Sequence, residues 1–320
     1  MILAWMEGLR RSVSSPRMIL FLWVVNLVAA LPAAWVVTSS LEASMGDSLV
    51  SESLQDGFDM GWYGEYQDAA KGIEKSFSPD LAGPGAFYAN LETWITGKVF
   101  DLPVEVVGIA AIYLLVWILL QGGIVARMVR PRTGFHTARF LGSGARFFFR
   151  YLRLALLSGV LYVLVFRASW WVYGQIGEWT RDVPAERPVL LLALGLLAMT
   201  GFVLCTVQAV FTYAKIATVI EDRRSMLLAP FHGLQVLISR PLRTAGLYGI
   251  FAVVSAAVLG VYAWLAPVAG PSSYLGLILA FAFGQAYLIG RLTLRLSLLG
   301  GMISLHPADG SRSHVMSRSV

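Results

Sequence analysis

The chain has 320 residues, of which 57% are hydrophobic and 14% charged, and its mean hydropathy is +0.67. Soluble domains carry about 25% charged residues, so an ordinary water-soluble enzyme and a disordered chain are both excluded, and a multi-pass membrane protein is left. The net charge of +6 arises from 25 Lys and Arg against 19 Asp and Glu. Its placement along the chain points to membrane topology, not to nucleic acid.

In chain order, Arg10, Arg11 and Arg17 against a single Glu7 precede a first apolar run, Met18–Val37. A cleaved leader ending near Ala33–Ala34 is the competing reading, but the apolar run is long for that role. Residues 39–105 then carry twelve acids and three lysines. Helices are expected over Leu41–Leu54, Tyr66–Phe77 and Ala86–Phe100. Gly57, Gly61 and Gly64 interrupt the pattern, and Ser78–Asp80 and Gly83–Gly85 read as turns. Phe87, Leu91, Trp94 and Ile95 share one helical face, suited to the outer leaflet or to capping the bundle. The stretch Asp56–Glu65 invites a calcium reading but lacks the spacing of an EF-hand. An acidic loop on the translocated side needs no further cause.

Five further spans follow at the required length of about 20 residues: Val104–Ala126, Tyr151–Trp171, Val189–Tyr213, Ala245–Ala266 and Tyr274–Arg295. Tyr151–Trp171 is the weakest, because Arg153 and Arg167 must snorkel. The connection before it holds Arg127, Arg130, Arg132, Arg139, Arg146, Arg150 and Arg153 with no acid. Lys215, Arg223, Arg224, Arg240 and Arg243, against Glu221 and Asp222, lie between the fourth and fifth spans. Basic and non-basic connections alternate, which sets six helices with both termini in the cytoplasm. The 21 arginines against four lysines hint at a GC-rich bacterial genome and thus at a bacterial inner membrane. The chain divides into residues 1–38 (surface helix and first span), 39–103 (acidic outer segment), 104–305 (remaining spans with surface helices) and 306–320 (disordered cytoplasmic tail).

Internal similarity runs at an offset of 90 residues. Arg150, Leu152, Arg153, Ala155, Leu157 and Gly159 match Arg240, Leu242, Arg243, Ala245, Leu247 and Gly249. At an offset of 225, Gly8, Leu9, Ser14 and Pro16 match Gly233, Leu234, Ser239 and Pro241. Each unit reads as an amphipathic elbow helix on the cytoplasmic surface, a bend, then two spans. Residues 134–149 mix Phe and Arg at helical spacing, as the elbow of the second unit requires. A shared juxtamembrane arginine pattern is the alternative to true repetition.

Catalytic signals are missing: no HExxH, GxSxG or phosphate-loop pattern occurs. His136, His232, His306 and His314 have no metal-ligand spacing, so neither metal nor cofactor is expected. Lone Cys205 permits no internal disulfide. The spans hold almost no acid at mid-depth, which argues against a proton-coupled pump. Gln121, Gln208 and Gln285 stand out, each in the inner half of an even-numbered span with Arg127, Lys215 or Arg291 six or seven residues on, where in a three-unit bundle the amides could face one another. They read as interhelical hydrogen-bonding groups or as a polar site for a headgroup or solute. Arg150 with Arg153, and Arg240 with Arg243, lie at i and i+3, suited to phosphates or to plain interfacial anchoring.

The basic surface segment before a span, Gly233-Leu-x-x-x-x-Ser-Arg-Pro241, resembles the pattern of uncharacterised six-helix bacterial membrane proteins. These include relatives of the membrane domain attached to some glycerophosphodiester phosphodiesterases. The resemblance implies fold and location and carries no catalytic residue onto this chain. The expectation is an all-α, six-span membrane protein that is not an enzyme and organises lipid or a membrane complex. Its partners are expected to be membrane lipid and a membrane protein or a second copy, not nucleic acid. The alternative is a passive channel or transporter with a polar path near the three glutamines.

Overall fold

The computed structural model describes residues 1–46, 59–78, 83–98, 104–130, 134–181, 185–223, 225–266 and 274–306. Among them are ten helices: α1 (Ile2–Val13), α2 (Pro16–Met45), α3 (Met60–Ala69), α4 (Gly83–Ile95), α5 (Val104–Val129), α6 (Thr137–Trp179), α7 (Glu186–Ile220), α8 (Ala229–Ser239), α9 (Pro241–Leu265) and α10 (Tyr274–Leu305). Six of these, α2, α5, α6, α7, α9 and α10, are long and apolar enough to cross a membrane. Their apolar side chains mostly face outward, as Trp35, Ile112, Leu164, Leu191, Phe202 and Trp264 do. Such a surface suits hydrocarbon and not water, so the architecture is that of a polytopic all-α membrane protein.

The tightly packed core lies at one end, where the basic residues gather. It is built from the last turns of α5, α7 and α10, with Ile124, Met128, Ile216, Met302 and Ile303 nearly or fully buried. Three short helical stretches hold these ends together. α1 presents Ala4, Trp5, Gly8 and Ser12, a stripe at helical spacing, to α10. The first turns of α6 pack on α5, and α8 packs on α7.

One close contact recurs at all three junctions. Gly8 abuts the Ser297 carbonyl and the Gly301 amide of α10; Gly144 abuts the Leu119 carbonyl of α5; Gly233 abuts the Val210 carbonyl and the Ala214 amide of α7. The facing helices are also bare, since a Cβ at Gly123 would lie 2.7 Å from the Phe140 carbonyl and one at Gly301 would lie 3.2 Å from that of Ala4. Small residues on both sides let backbones touch. An arginine contact recurs as well. Arg11 Nη1 donates to the Met128 carbonyl at 3.2 Å, Arg150 Nη1 to that of Arg223 at 3.2 Å, and Arg240 Nη1 to that of Leu305 at 2.8 Å. Each carbonyl belongs to the C-terminal end of α5, α7 or α10 or the residues just after it, where a cation is favoured. Each of the three stretches thus sits on one long helix by its glycine and holds another by an arginine within it or just after it. Because α1 rests on α10, the start of the chain meets its last span and the ring closes.

Several sequence expectations are corrected. No break separates the second basic segment from its span: α6 is one helix of 43 residues. Pro16 and Pro241 open α2 and α9 as first-turn residues, whereas Tyr151 and Leu152 stand at the matching point of α6 and let the helix run on. The contact glycines Gly144 and Gly233 are therefore one residue out of step with the Arg150–Arg240 match. Gly61 and Gly64 lie inside α3, which starts earlier than expected because the Asp59 carboxylate caps it by accepting from the Gly61 and Trp62 amides at 2.8 and 3.1 Å. Gly83–Gly85 opens α4 and does not form a turn, and α4 stops before Gly97 with its φ of +77°. The first span runs on to Met45; the rest of the helix expected to Leu54, the start of the Asp56–Glu65 stretch, and the tail beyond His306 lie outside the described residues.

At the opposite end Trp62 and Tyr66 of α3, with Ala70 just after it, form a small separate core with Leu41, Met45 and Phe77. α4 is anchored by Trp94, whose ring meets Phe166 and Tyr173 of α6 at 6.1 and 5.4 Å. α4 also contacts α9 and so covers part of the bundle mouth.

Candidate functional site

Above the basic-end core the long helices separate around an open cavity of about 1010 Å³. Leu22, Trp117, Ile124, Phe251 and Leu292 give it apolar walls, and Ala86 and Asn90 of α4 reach it from the far end. Gln121, Gln208 and Gln285 all line it, together with Lys215, Arg291 and Arg295. Its lining contains three cations and no carboxylate. No ion pair engages Lys215, Arg291 or Arg295 among the described residues.

The glutamines share the cavity but not a level. The recurring glycine contact makes Leu119, Val210 and Ser297 equivalent. Gln121 lies two residues beyond its reference, Gln208 two before and Gln285 twelve before. At 1.5 Å per residue the amides spread over roughly 20 Å of the bundle axis. They cannot face one another as a ring, and Gln285 sits in the first half of its helix, contrary to the expected inner-half position. Gln285 Oε1 accepts from Trp23 Nε1 at 2.8 Å, joining α10 to α2. Gln121 and Gln208 have no side-chain hydrogen bond among the described residues. Lys215 and Arg291, noted in the sequence only as basic residues following a glutamine, prove to line the same space. Arg295 carried no distinguishing signal, because its contribution depends on how α10 is turned in the ring.

The arginine pairs lie elsewhere and are divided in role. Arg150 binds Asp222 at 2.6 Å as well as the Arg223 carbonyl. Arg146 adds a second contact to Asp222 at 3.1 Å. The hydrogen bond from Arg150 holds the Asp222 carboxyl below the usual carboxylate range. Asp222 itself turns the chain after α7 with a φ of +50°. Arg240 is spent on the α10 terminus, while Arg153 and Arg243 are exposed. A second, smaller recess of about 370 Å³ beside α5 and α6 gathers Arg127, Arg130, Arg139 and Arg146 with His136 and Asp222.

Comparison with known proteins finds no matching family profile, no matching curated protein and no matching solved structure. Functional interpretation therefore rests on the site's own chemistry.

Proposed function

We propose that this membrane protein is not an enzyme but a binder of anionic amphiphiles, with membrane lipid as the ligand class. The carrying observation is the cavity: three cations without a carboxylate, set in apolar walls inside a bundle whose outer faces are apolar. Arg and Lys within the membrane-spanning part of a bundle are costly, and such residues mark ligand or ion pathways. A phosphate headgroup would pair with Arg291 and Arg295, four residues apart on α10, with Lys215 as a further cation toward the basic end, and acyl chains would lie against Phe251, Leu288 and Leu292. The arginine-rich recess beside α5 supports an anionic membrane surface at the same end.

In this reading the basic end faces the cytoplasm of a bacterial inner membrane, with both termini there, as the charge alternation of the connections supports. The three short helical stretches act as interfacial elbows. The units they open are internal repeats, a reading supported by the recurring glycine and arginine contacts. A second reading, a passive polar path, is favoured by one observation: the glutamines form a ladder along the cavity and not a single belt.

Native mass spectrometry of the full chain from nanodiscs containing equal phosphatidylglycerol and phosphatidylcholine tests the first reading. Wild type is expected to retain phosphatidylglycerol selectively, and a Lys215→Leu/Arg291→Leu/Arg295→Leu variant to lose that selectivity. Equal retention of both lipids by wild type would refute it. Flux of small solutes through proteoliposomes that Gln121→Leu/Gln208→Leu/Gln285→Leu abolishes, with folding retained, would move the weight to the path.

A further inference from the structure

Glu221 and His232 are eleven residues apart and His306 lies far downstream, and the three stand at three separate elements. Glu221 follows the last turn of α7, His232 precedes the contact glycine of α8, and His306 follows the last turn of α10. His232 Nε2 lies 3.4 Å from Glu221 Oε1, and His306 Nε2 lies 3.9 Å from the same oxygen. One donor atom from each residue falls within 4.8 Å of the others. The His306 side chain is 1% exposed. His232 Nε2 is shut off from solvent and has no hydrogen-bond partner among the described residues.

These separations exceed an ordinary hydrogen bond; the 3.4 Å edge already matches that of a coordination shell, and the longer ones, 3.9 Å and at most 4.8 Å, must close on an ion. Bonds of about 2.0–2.1 Å to zinc put tetrahedral donors roughly 3.3 Å apart, and side-chain rotation of the two imidazoles has to draw the longer edges in to that value. Two imidazole nitrogens and one carboxylate oxygen are a donor set that zinc and its neighbours in the first transition row favour. The cluster is also singular within the ring. The residue before the contact glycine is Glu7 in α1, where it pairs with Arg10 and Arg11, and Ser143 in α6.

We propose that Glu221, His232 and His306 bind one divalent transition-metal ion of the zinc class, which clamps α8 to the ends of α7 and α10. Three protein ligands leave a coordination position for water. Arg223 stands beside the site, ion-paired with Glu221 Oε2 and with its Nη2 at 3.4 Å from His232 Nδ1. A metal on Nε2 requires the proton on Nδ1, so Arg223 gives up that nitrogen on loading and keeps to the carboxylate. The clamp closes the same basic end that the glycine and arginine contacts assemble, and it is independent of any ligand in the cavity.

The test uses the full chain in detergent micelles, purified with a tag free of histidine, stripped with EDTA and titrated with Co²⁺ under visible absorption. Bound Zn²⁺ is counted by elemental analysis after dialysis. One ion per chain is expected, with affinity falling at least tenfold in both Glu221→Gln and His232→Gln. These two variants decide the outcome, because His306→Gln alters a fully buried position and tests folding as well as ligation. Zn²⁺ is also expected to raise the unfolding temperature of wild type and not that of His232→Gln. Binding well below one equivalent, titrations unchanged in both variants, or an equal thermal shift in wild type and His232→Gln would each overturn the proposal.

Discussion

Replacing Gly144 by alanine, and Gly142 by alanine two residues earlier in α6, separates close backbone packing from helix propensity. Both glycines lie inside one helix, where alanine is intrinsically better by about 1 kcal/mol. A Cβ at Gly142 meets nothing within 4 Å, so that gain is expected in full. At Gly144 the new methyl runs into the Leu119 carbonyl and also comes within 3.4 Å of Leu119 Cδ1. Backbone cannot rotate aside as a side chain does, so the start of α6 must back away from α5. Phe140, Phe147 and Tyr151, all buried at this junction, lose contact as it moves. Overpacking of this kind costs about 1–3 kcal/mol after relaxation, and since the propensity gain is common to both sites, the Gly144 variant is expected to be about 1–3 kcal/mol less stable than the Gly142 variant. Unfolding of each variant by SDS titration in mixed micelles measures the difference. Agreement of the two within about 0.5 kcal/mol, the scatter of neutral surface changes, would refute the packing argument, and with it the reading of Gly8 and Gly233 as equivalent contacts.

Gln285→Leu removes the acceptor for Trp23 Nε1 and is expected to destabilise by about 1 kcal/mol, while Gln121→Leu and Gln208→Leu stay within about 0.5 kcal/mol; the same micelle titration checks this. The Asp222 carboxyl is held low by Arg150, so its contribution is present above the ordinary carboxylate range and fades as pH falls through the depressed value. Asp222→Asn, which tolerates the same backbone conformation, is therefore expected to unfold at a lower temperature than wild type at pH 7. The two curves should converge in strong acid, and a gap independent of pH would exclude the ion pair as its source.

The spans were legible from the sequence because the requirement is local: about 20 apolar residues in a row satisfy the membrane whatever the rest of the chain does. The same holds for the basic–acidic asymmetry of the connections. The match of Gly8 with Gly233 was also visible, but its meaning was not, since a glycine in a helix looks only like a weak helix former until a second backbone is seen against it. The absence of a proline at Tyr151 and Leu152 was equally plain, yet the arginine match across Arg150 and Arg240 concealed that α6 would continue unbroken. Glycines in α3 read as breakers because local propensity was unopposed, whereas the Asp59 cap and the packing of Trp62 and Tyr66 decided the helix.

What tertiary structure alone decided is everything that depends on helix rotation and on contacts between distant segments. Three glutamines in even-numbered spans suggested a belt, but the offset of each along its helix spreads them into a ladder. Arg295 became part of the cavity through the turn of α10. Glu221, His232 and His306 have no spacing signature, because their approach is set by the ring in which α8 rests on α7 while Arg240 holds the end of α10. Hydropathy and charge act on each segment against its solvent and are readable residue by residue. A site assembled from three helix ends depends on packing between segments, which no linear pattern encodes.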